Sequence, residues 1–197
     1  MSDTETIAVY DQQVTTYANL SAEENPDSSL KNFIENLPDG GTVLDLGCGP
    51  ADASVYMREN GLNPDPVDAS PEMVKIANKT HNIGARLFLF EDLDSEKSYD
   101  GIWANFSLLH ARKADFPNHL QRIHRALKPM GLFHIGMKLG EGERRDRLGR
   151  FYAYYSQDEL QAFLVEAGFE ILSSRTGEGK GLAGDVSPFA VILARKI

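Results

Sequence analysis

The sequence is poor in cysteine, in basic residues and in long apolar runs. Its single cysteine, Cys48, excludes an internal disulfide framework. Lys and Arg number 20 against 29 Asp and Glu, and this acidic balance argues against the basic face that nucleic acids require. No apolar run approaches the roughly 20 residues of a membrane helix, and the polar, acidic residues 1–6 are unlike a signal peptide. These absences predict a cytoplasmic protein with no nucleic-acid or membrane partner.

The 197 residues, 42% hydrophobic and 25% charged, predict one globular domain spanning 1–197. Apolar spacing and caps predict helices at 7–20, 26–37, 50–60, 70–78, 116–127 and 156–167. Short apolar runs predict strands at 42–46, 63–68, 85–90, 99–104, 132–138, 169–175 and 188–195. Alternating strands and helices indicate an α/β fold with a doubly wound, mostly parallel sheet of seven strands. The last two strands, with no helix between them, indicate an antiparallel C-terminal edge hairpin.

Two segments of this pattern are expected to be irregular. Pro64 and Pro66 cannot donate to a sheet ladder, so the second strand is expected to be short or distorted. Residues 140–150 are charged, contain glycine and lack an apolar period, and are expected to form a loop.

The stretch from Thr42 to Pro50 predicts a buried strand that runs into a tight turn and a helix. Gly47 and Gly49 allow backbone conformations closed to other residues and let a ligand approach the main chain. Pro50 suits the first turn of a helix, whose free N–H groups attract an anion. Because ligands of open parallel sheets lie beyond the carboxyl ends of the strands, this turn is the expected site.

The segment Asp45-Leu46-Gly47-Cys48-Gly49 resembles the first motif of class I S-adenosylmethionine (SAM) methyltransferases, D/E-x-G-x-G-x-G, with Ala51 at the third glycine position. The resemblance covers about 40–195 and implies a Rossmann-like core, 40–197, behind an N-terminal helical lid, 1–38. It further implies SAM-dependent methyl transfer, with a small-molecule acceptor because no added substrate domain is apparent.

The resemblance also assigns roles to residues at the strand ends. Asp45 would hold the ammonium of the methionine moiety, Asp68 the ribose hydroxyls and Asp92 the adenine amino group, with Met73 against the adenine face. The complete implied cofactor site is Tyr10, Tyr17, Asp45, Gly47, Cys48, Gly49, Asp68, Ala69, Ser70, Met73, Glu91, Asp92, Leu93, Asn105, Phe106 and Ser107.

Candidate acceptor residues follow the fourth and fifth strands. His110 is placed by the resemblance near the transferred methyl group and could take a proton from the acceptor. Arg144 and Arg147, with Tyr152 and Tyr155 after them, could bind an anionic substrate because guanidinium groups match carboxylate and phosphate. The five histidines show no metal-ligand spacing, so no metal is predicted.

Two alternatives stay open at this point. An NAD-dependent oxidoreductase would share the ribose-binding Asp68, but its G-x-G-x-x-G fingerprint fails at Asp52. A protein that binds SAM without turnover, or that serves as a partner protein, would keep the same motifs. The sequence does not specify the acceptor or the oligomeric state.

Overall fold

The computed structural model describes residues 2–24 and 27–197, with residues 21–24 described by their backbone alone. The helices are α1 Thr4–Gln12, α2 Val14–Glu24, α3 Ser28–Glu35, α4 Asp52–Glu59, α5 Pro71–His81, α6 Phe116–Ala126 and α7 Gln157–Glu166. The strands are β1 Thr42–Leu46, β2 Asn63–Asp68, β3 Arg86–Leu87, β4 Tyr99–Asn105, β5 Leu127–Lys138, β6 Glu143–Arg145, β7 Phe151–Ala153, β8 Phe169–Lys180 and β9 Val186–Lys196. Phe90–Asp92 and Leu108–His110 are short 3₁₀ turns.

Seven strands form one sheet in the order β3-β2-β1-β4-β5-β9-β8. The first five pair in parallel, whereas β9 runs antiparallel to both β5 and β8. This arrangement confirms the predicted α/β, Rossmann-like doubly wound sheet with an antiparallel C-terminal hairpin. The strand order reverses between β1 and β4, so the crevice for a ligand opens at their carboxyl ends.

Strand β1 shows why the sheet has a core on both faces. Leu44 and Leu46 belong to one buried cluster, and Val43 belongs to another on the opposite side. Alternate side chains of a strand point to opposite faces, so a run of apolar residues is what a central strand needs. Each fully buried Val or Leu contributes about 1.5–3 kcal/mol. The first strand is therefore held rigidly, and the turn after it starts from a fixed point.

Strand β2 is regular, and the expectation of a short or distorted strand is wrong. Its residues pair with β1 from Asn63 to Val67. Peptide groups of 63 and 67 bond toward β1, and Asp68 accepts from Phe88 on the other side. Because peptide groups alternate along a strand, Pro64 and Pro66 face the β3 side. Strand β3 pairs with β2 at Val67 and Asp68, beyond the two prolines, so no ladder bond is lost.

The N-terminal helices differ from the prediction. The single helix expected over 7–20 is two helices, α1 and α2, which meet at Gln13. The helix expected over 26–37 starts at Ser28, where Asp27 caps it by accepting from the N–H of Leu30. Pro26 lies outside the described residues.

Other boundaries also move. Helix α4 starts at Asp52 after Ala51 in a left-handed conformation, so Pro50 precedes the helix. Helix α5 begins at Pro71 behind the predicted N-cap Ser70, and continues three residues past the predicted end, to His81. The apolar strand expected over 85–90 is the two-residue β3, because the chain turns into a 3₁₀ turn at Phe90.

The C-terminal half contains more strand than expected. Residues 140–150 are not an irregular loop, because β6 pairs antiparallel with β7 to form a two-stranded hairpin. Strands β8 and β9 continue into the glycine-rich segment and pair as far as Lys180 and Val186. Long antiparallel pairing satisfies the backbone of a glycine-rich stretch that carries little apolar signal of its own.

Candidate active site

A crevice lies at the carboxyl ends of β1, β2 and β4, beneath α1 and α2. It is lined by Ser2, Asp3, Thr6, Ile7, Tyr10, Tyr17, Gly47, Gly49, Asp68, Ala69, Ser70, Met73, Phe88, Phe90, Phe106, Ser107 and His110. Eleven of these residues were predicted from the sequence, including His110. The predicted strand ends therefore do meet around one cavity.

The glycine-rich turn is bonded internally. The N–H groups of Gly47 and Cys48 both donate to the carbonyl of Val67, each at 2.9 Å. Gly49 donates to the Asp68 carboxylate, and Ala51 donates to the carbonyl of Cys48. Since Pro50 has no N–H, the turn from 47 to 51 offers no free donor to a pyrophosphate. The expected attraction of an anion to the free N–H groups of the first helical turn stays a prediction.

Two side chains pack directly on the glycines. A Cβ atom added at Gly47 would lie 2.4 Å from the Cβ of Ser107, and one at Gly49 would lie 3.1 Å from the Tyr17 ring. Both glycines have positive φ, 83° and 54°. The hydroxyl of Ser107 donates to the carbonyl of Leu46 at 2.6 Å. The turn after β1 is thus pressed against the turn after β4 and against the second helix.

Two acidic residues line the crevice, Asp68 and Asp3, and Asp3 is paired with Arg145. One carboxylate oxygen of Asp68 accepts from the N–H of Gly49 and the other from the N–H of Ser70, each at 2.8 Å. Burial raises the pKa of this carboxyl, and the two backbone donors oppose that effect. A carboxylate oxygen has two lone pairs, so each retains one for a further donor. This arrangement fits the two hydroxyls of a ribose.

The crevice beside Asp68 has an apolar lining of the kind that suits a purine. Met73, at the first turn of α5, and Ile7, on α1, contribute aliphatic contacts. Phe88 and Phe90, on either side of the turn after β3, add two aromatic rings. Sequence reasoning missed both phenylalanines because it placed them inside a buried strand. Together with Asp68, these side chains fit an adenosine group.

Asp45 does not line the crevice. Its side chain is 2% exposed, and it accepts a hydrogen bond of 2.7 Å from the hydroxyl of Ser54 on α4. Burial raises its pKa to about 7, and the charge of Asp68 acts in the same direction. The carboxyl therefore links the end of β1 to α4. Its predicted contact with an ammonium group stays a prediction.

Five other predicted cofactor residues also lie outside the crevice lining. Glu91 accepts from the backbone and hydroxyl of Ser2, and Asp92 accepts from the N–H of Leu89 within its own turn. Leu93 is buried in the core. The remaining two are Cys48, which packs beside the crevice, and Asn105, which lines a neighbouring cavity. A sequence of acidic residues in a turn predicts hydrogen-bond acceptors there, but it does not show whether their side chains face the crevice.

Tyr10, His110 and Arg150 form a hydrogen-bonded chain at the edge of the crevice. His110 Nδ1 lies 2.6 Å from the carbonyl of Phe151, so it carries the proton of the neutral ring. Nε2 therefore accepts from the hydroxyl of Tyr10, 2.9 Å away, and that oxygen accepts in turn from Arg150 at 3.0 Å. Burial lowers the pKa of His110 to about 4. Both ring nitrogens are thus engaged, and His110 has no free nitrogen for an acceptor.

Arg150 belongs to the arginine cluster of residues 144–150 that the sequence offers for an anionic substrate, but it was not selected with Arg144 and Arg147. Its side chain is 2% exposed, and its guanidinium donates to the carboxylate of Asp146 at 3.0 and 2.7 Å. It also lies over the rings of Tyr10 and Tyr152, at 5.3 and 5.2 Å. A buried arginine needs such a carboxylate partner. The spacing of four residues between Asp146 and Arg150 was the one available signal.

A second cavity adjoins the crevice. It is lined by Tyr10, Tyr17, Leu20, Asp27, Asn105, Phe106, Leu109, Lys138, Arg150, Tyr152, Gly179, Lys180, Gly181, Leu182, Ser187 and Phe189. Tyr10, Tyr17 and Phe106 line both cavities and so form the wall between them. A ligand in the crevice and a ligand in the second cavity would therefore be neighbours.

Of the predicted substrate residues, Tyr152 lines this second cavity, whereas Arg144, Arg147 and Tyr155 do not. Arg144 stacks on the ring of Tyr154, 3.7 Å from its centre, on the hairpin surface. Arg147 is 64% exposed and pairs with Asp185. Tyr155 is buried in the core against Phe116. These three side chains are therefore not in the lining of the cavity, and their contact with a substrate stays a prediction.

The β6–β7 hairpin holds the first helix over the crevice. Arg145 of β6 donates to both carboxylate oxygens of Asp3, the N-cap of α1, at 3.0 and 2.9 Å. The N–H of Phe151 in β7 donates to the hydroxyl of Thr6 at 2.8 Å. On the far side of α1, the hydroxyl of Ser70 donates to Asp11. The helix is thus fixed to both rims.

The fold and the crevice define a nucleoside-binding α/β protein, and comparison with known proteins gives its family. Residues 19–174 match the family model described as "Methyltransferase domain". Because this match spans most of the chain, the protein belongs to that methyltransferase family.

Individual relatives agree with this family. The chain is 28% identical over 144 residues to the putative methyltransferase YqeM of Bacillus subtilis, covering 68% of this chain and 58% of that one. It is 30% identical over 135 residues to the S-adenosyl-L-methionine-dependent Diels-Alderase iccD of Talaromyces variabilis, covering 60% and 44%. The chain thus spans about half the length of these curated relatives.

Among solved structures, the chain resembles the 1,6-didemethyltoxoflavin-N1-methyltransferase of Burkholderia thailandensis, determined with 1,6-didemethyltoxoflavin and S-adenosylhomocysteine bound. The TM-score is 0.70 at 26% identity, covering 96% of this chain and 88% of that one. Within the described residues, no helix is both long enough and apolar enough to span a bilayer.

Proposed function

We propose that the protein transfers a methyl group from SAM, held in the crevice, to a small molecule held in the second cavity. The observation that carries this proposal is the shared wall of Tyr10, Tyr17 and Phe106 between the two cavities. Membership of the methyltransferase family and the small-molecule complex of the Burkholderia enzyme support it. On this proposal, residues 1–38 act as the lid and the protein works in the cytoplasm.

Different residues of the crevice would contact different parts of SAM. Asp68 would accept from the ribose hydroxyls, while Met73, Phe88 and Phe90 would enclose the adenine. The backbone of Gly47 and Gly49 lets the ligand approach closely, as their positive φ values allow. When bound, SAM supplies a methyl group already activated by its sulfonium. The protein then has to position the acceptor in line, which can lower the barrier by roughly 7–11 kcal/mol.

The His110 chain fits a positioning role better than direct proton removal. Its two nitrogens are bonded to Tyr10 and Phe151, and its lowered pKa makes the imidazole a weak base at neutral pH. Tyr10 is held by His110 and Arg150 at the boundary of the two cavities. We assign His110 the role of orienting Tyr10, which would contact both ligands.

A protein that binds SAM without transferring its methyl group is the second candidate. One observation favours it: the relative from Talaromyces carries the name of a SAM-dependent Diels-Alderase, a different reaction. NAD-dependent oxidation is disfavoured because the N–H groups of the glycine turn are engaged within the protein.

Two measurements test the proposal. Calorimetry with SAM, S-adenosylhomocysteine and NAD should show binding of the first two and not the third. Incubation with methyl-labelled SAM and a panel of small metabolites should give labelled product. Binding of SAM with no transfer to any member of a broad panel would favour the second candidate, and binding of NAD alone would overturn both.

A further inference from the structure

The second cavity contains a half-buried ammonium group that forms no salt bridge with the described carboxylates. Lys138 ends β5, and its Nζ lies 4.6 Å from the centre of the Tyr152 ring. In the part of the chain that the structure describes, Lys138 forms no hydrogen bond or salt bridge. The nearby carboxylates are already paired, Asp146 with Arg150 and Asp185 with Arg147. Lys138 is therefore available to a charged ligand.

The other charged groups around this cavity leave it with excess positive charge. Asp146 balances Arg150, and Asp27, which caps α3, offsets only one of the two lysines in the lining. Lys180, at the end of β8, also lines the cavity and is exposed to solvent. Burial and the charge of Arg150 lower the pKa of Lys138, whereas the charges of Asp146 and Asp185 raise it; a bound anion beside Nζ would act in the same direction as these two carboxylates.

Five of the sixteen residues that line the cavity are aromatic. Phe106 and Phe189 meet edge to face at 5.6 Å, and Tyr17 and Tyr152 contribute two further rings. Aromatic walls bury large apolar area and favour stacked or edge-on contacts with other rings. A planar ring system suits this lining better than a flexible polar chain.

We propose that the second cavity binds a planar ring compound that carries a carboxylate, and that Lys138 pairs with this carboxylate. The proposal rests on the proposed function, since it names the class of acceptor for the same site. It replaces Arg144 and Arg147 as the residues that recognise the anion. The ring would lie between Phe106, Phe189 and Tyr152, with the carboxylate toward the β8–β9 turn at Gly181. A Cβ atom added at Gly181 would lie 3.4 Å from Nζ of Lys138, so this turn is beside the ammonium group.

The test is calorimetry on the full chain saturated with S-adenosylhomocysteine. Three matched pairs serve as ligands: benzoate and benzamide, 4-hydroxybenzoate and 4-hydroxybenzamide, quinoline-2-carboxylate and quinoline-2-carboxamide. Each amide keeps the shape of its acid and removes the charge. The proteins compared are wild type, Lys138→Met, Lys138→Arg and the control Lys79→Met, which removes a lysine from the exposed face of α5.

We expect at least one acid to bind wild type about tenfold or more tightly than its amide, a change typical of one charge-assisted contact. Lys138→Met should reduce that preference below about threefold, Lys138→Arg should retain part of it, and Lys79→Met should match wild type. Equal binding of acids and amides, absence of acid binding, or an undiminished preference in Lys138→Met would overturn the proposal.

The result is distinguishable from failure of the proposed function. Binding of S-adenosylhomocysteine is measured first, in the same instrument and without any acid. If that ligand fails to bind, the cofactor assignment fails, whereas the comparison of acids with amides can still be made on the unliganded protein. If Lys138→Met does not fold, the wild-type comparison and Lys138→Arg decide the question.

Discussion

The hydroxyl of Tyr10 and Nε2 of His110 lie 2.9 Å apart, although the two residues are separated by 100 positions in the chain. This bond joins α1 to the turn after β4 and lies where the crevice meets the second cavity. Its consequence for pH is measurable. Burial lowers the pKa of His110 from 6.5 to about 4, so the folded protein resists protonation that the unfolded chain accepts.

The free energy of unfolding should therefore fall as the pH is lowered from 6.5 to 4. Over that window the unfolded chain binds one more proton at this residue, which costs about 3 kcal/mol in total. Denaturant titrations of wild type and His110→Phe at several pH values measure this effect. The variant should show the shallower slope. His134, whose pKa burial lowers to about 3, is common to both proteins and cancels. Equal slopes would contradict the assignment.

Asp68→Asn should weaken binding of S-adenosylhomocysteine. The substitution removes the charge while keeping a similar shape, and a lost charge-assisted hydrogen bond costs about 1.5–3 kcal/mol. Calorimetry should show a dissociation constant raised by roughly 10- to 150-fold. Asp94→Asn, on an exposed turn outside the crevice lining, is the matched control and should bind as wild type does. If Asp68→Asn binds S-adenosylhomocysteine as tightly as wild type, Asp68 does not contact the ribose.

Gly47→Ala should destabilise the fold more than Gly61→Ala. Both glycines have φ of +83°, so both substitutions carry the same left-handed strain, about 1–2 kcal/mol. Only the added Cβ at position 47 meets a neighbour, the Cβ of Ser107 at 2.4 Å, whereas none lies within 4 Å at position 61 in the described structure. Overpacking adds about 1–3 kcal/mol.

Chemical denaturation gives the two free energies for comparison. The double variant Gly47→Ala with Ser107→Gly should recover part of the difference, because it removes the atom that clashes. A difference that the double variant leaves unchanged would show that the contact with Ser107 is not the cause.

Thr6→Val should loosen the first helix. The substitution keeps the shape of the side chain but leaves the N–H of Phe151 without its acceptor, at a cost of about 1–3 kcal/mol. Hydrogen exchange over residues 4–12 should become faster. Thr15→Val, on the exposed face of α2, makes the same chemical change without a hairpin contact and should leave that exchange unaltered. Equal exchange in both variants would mean that the hairpin does not hold the helix.

Features encoded within a few consecutive residues were predicted well. The apolar run of β1, the cap of α5 at Ser70 and the capping box of Ser156 and Glu159 all appear as expected. The position of the crevice was also predicted, because the carboxyl ends of parallel strands lie at the same edge of a sheet. Residues close together in the chain determine these features, so a single sequence is enough to predict them.

Features that depend on distant partners were missed. The β6–β7 hairpin has little apolar pattern, and it is held by pairing and by Arg145 on Asp3. Phe88 and Phe90 face a ligand cavity because β3 stops after two residues. Lys138 is one lysine at the end of a strand, with no motif around it. Each of these features depends on where a side chain points and on which distant residues it contacts. The spacing of residues along the sequence gives neither.

The two prolines of β2 have an effect beyond the site. A sheet margin that displays unpaired N–H groups invites a strand from another molecule, and such docking begins aggregation. Before β3 begins, the positions of β2 that face this margin are Pro64 and the buried Pro66, which have no N–H to share. The part of the β2 margin that β3 does not cover is therefore protected by two residues without an N–H rather than by a further strand.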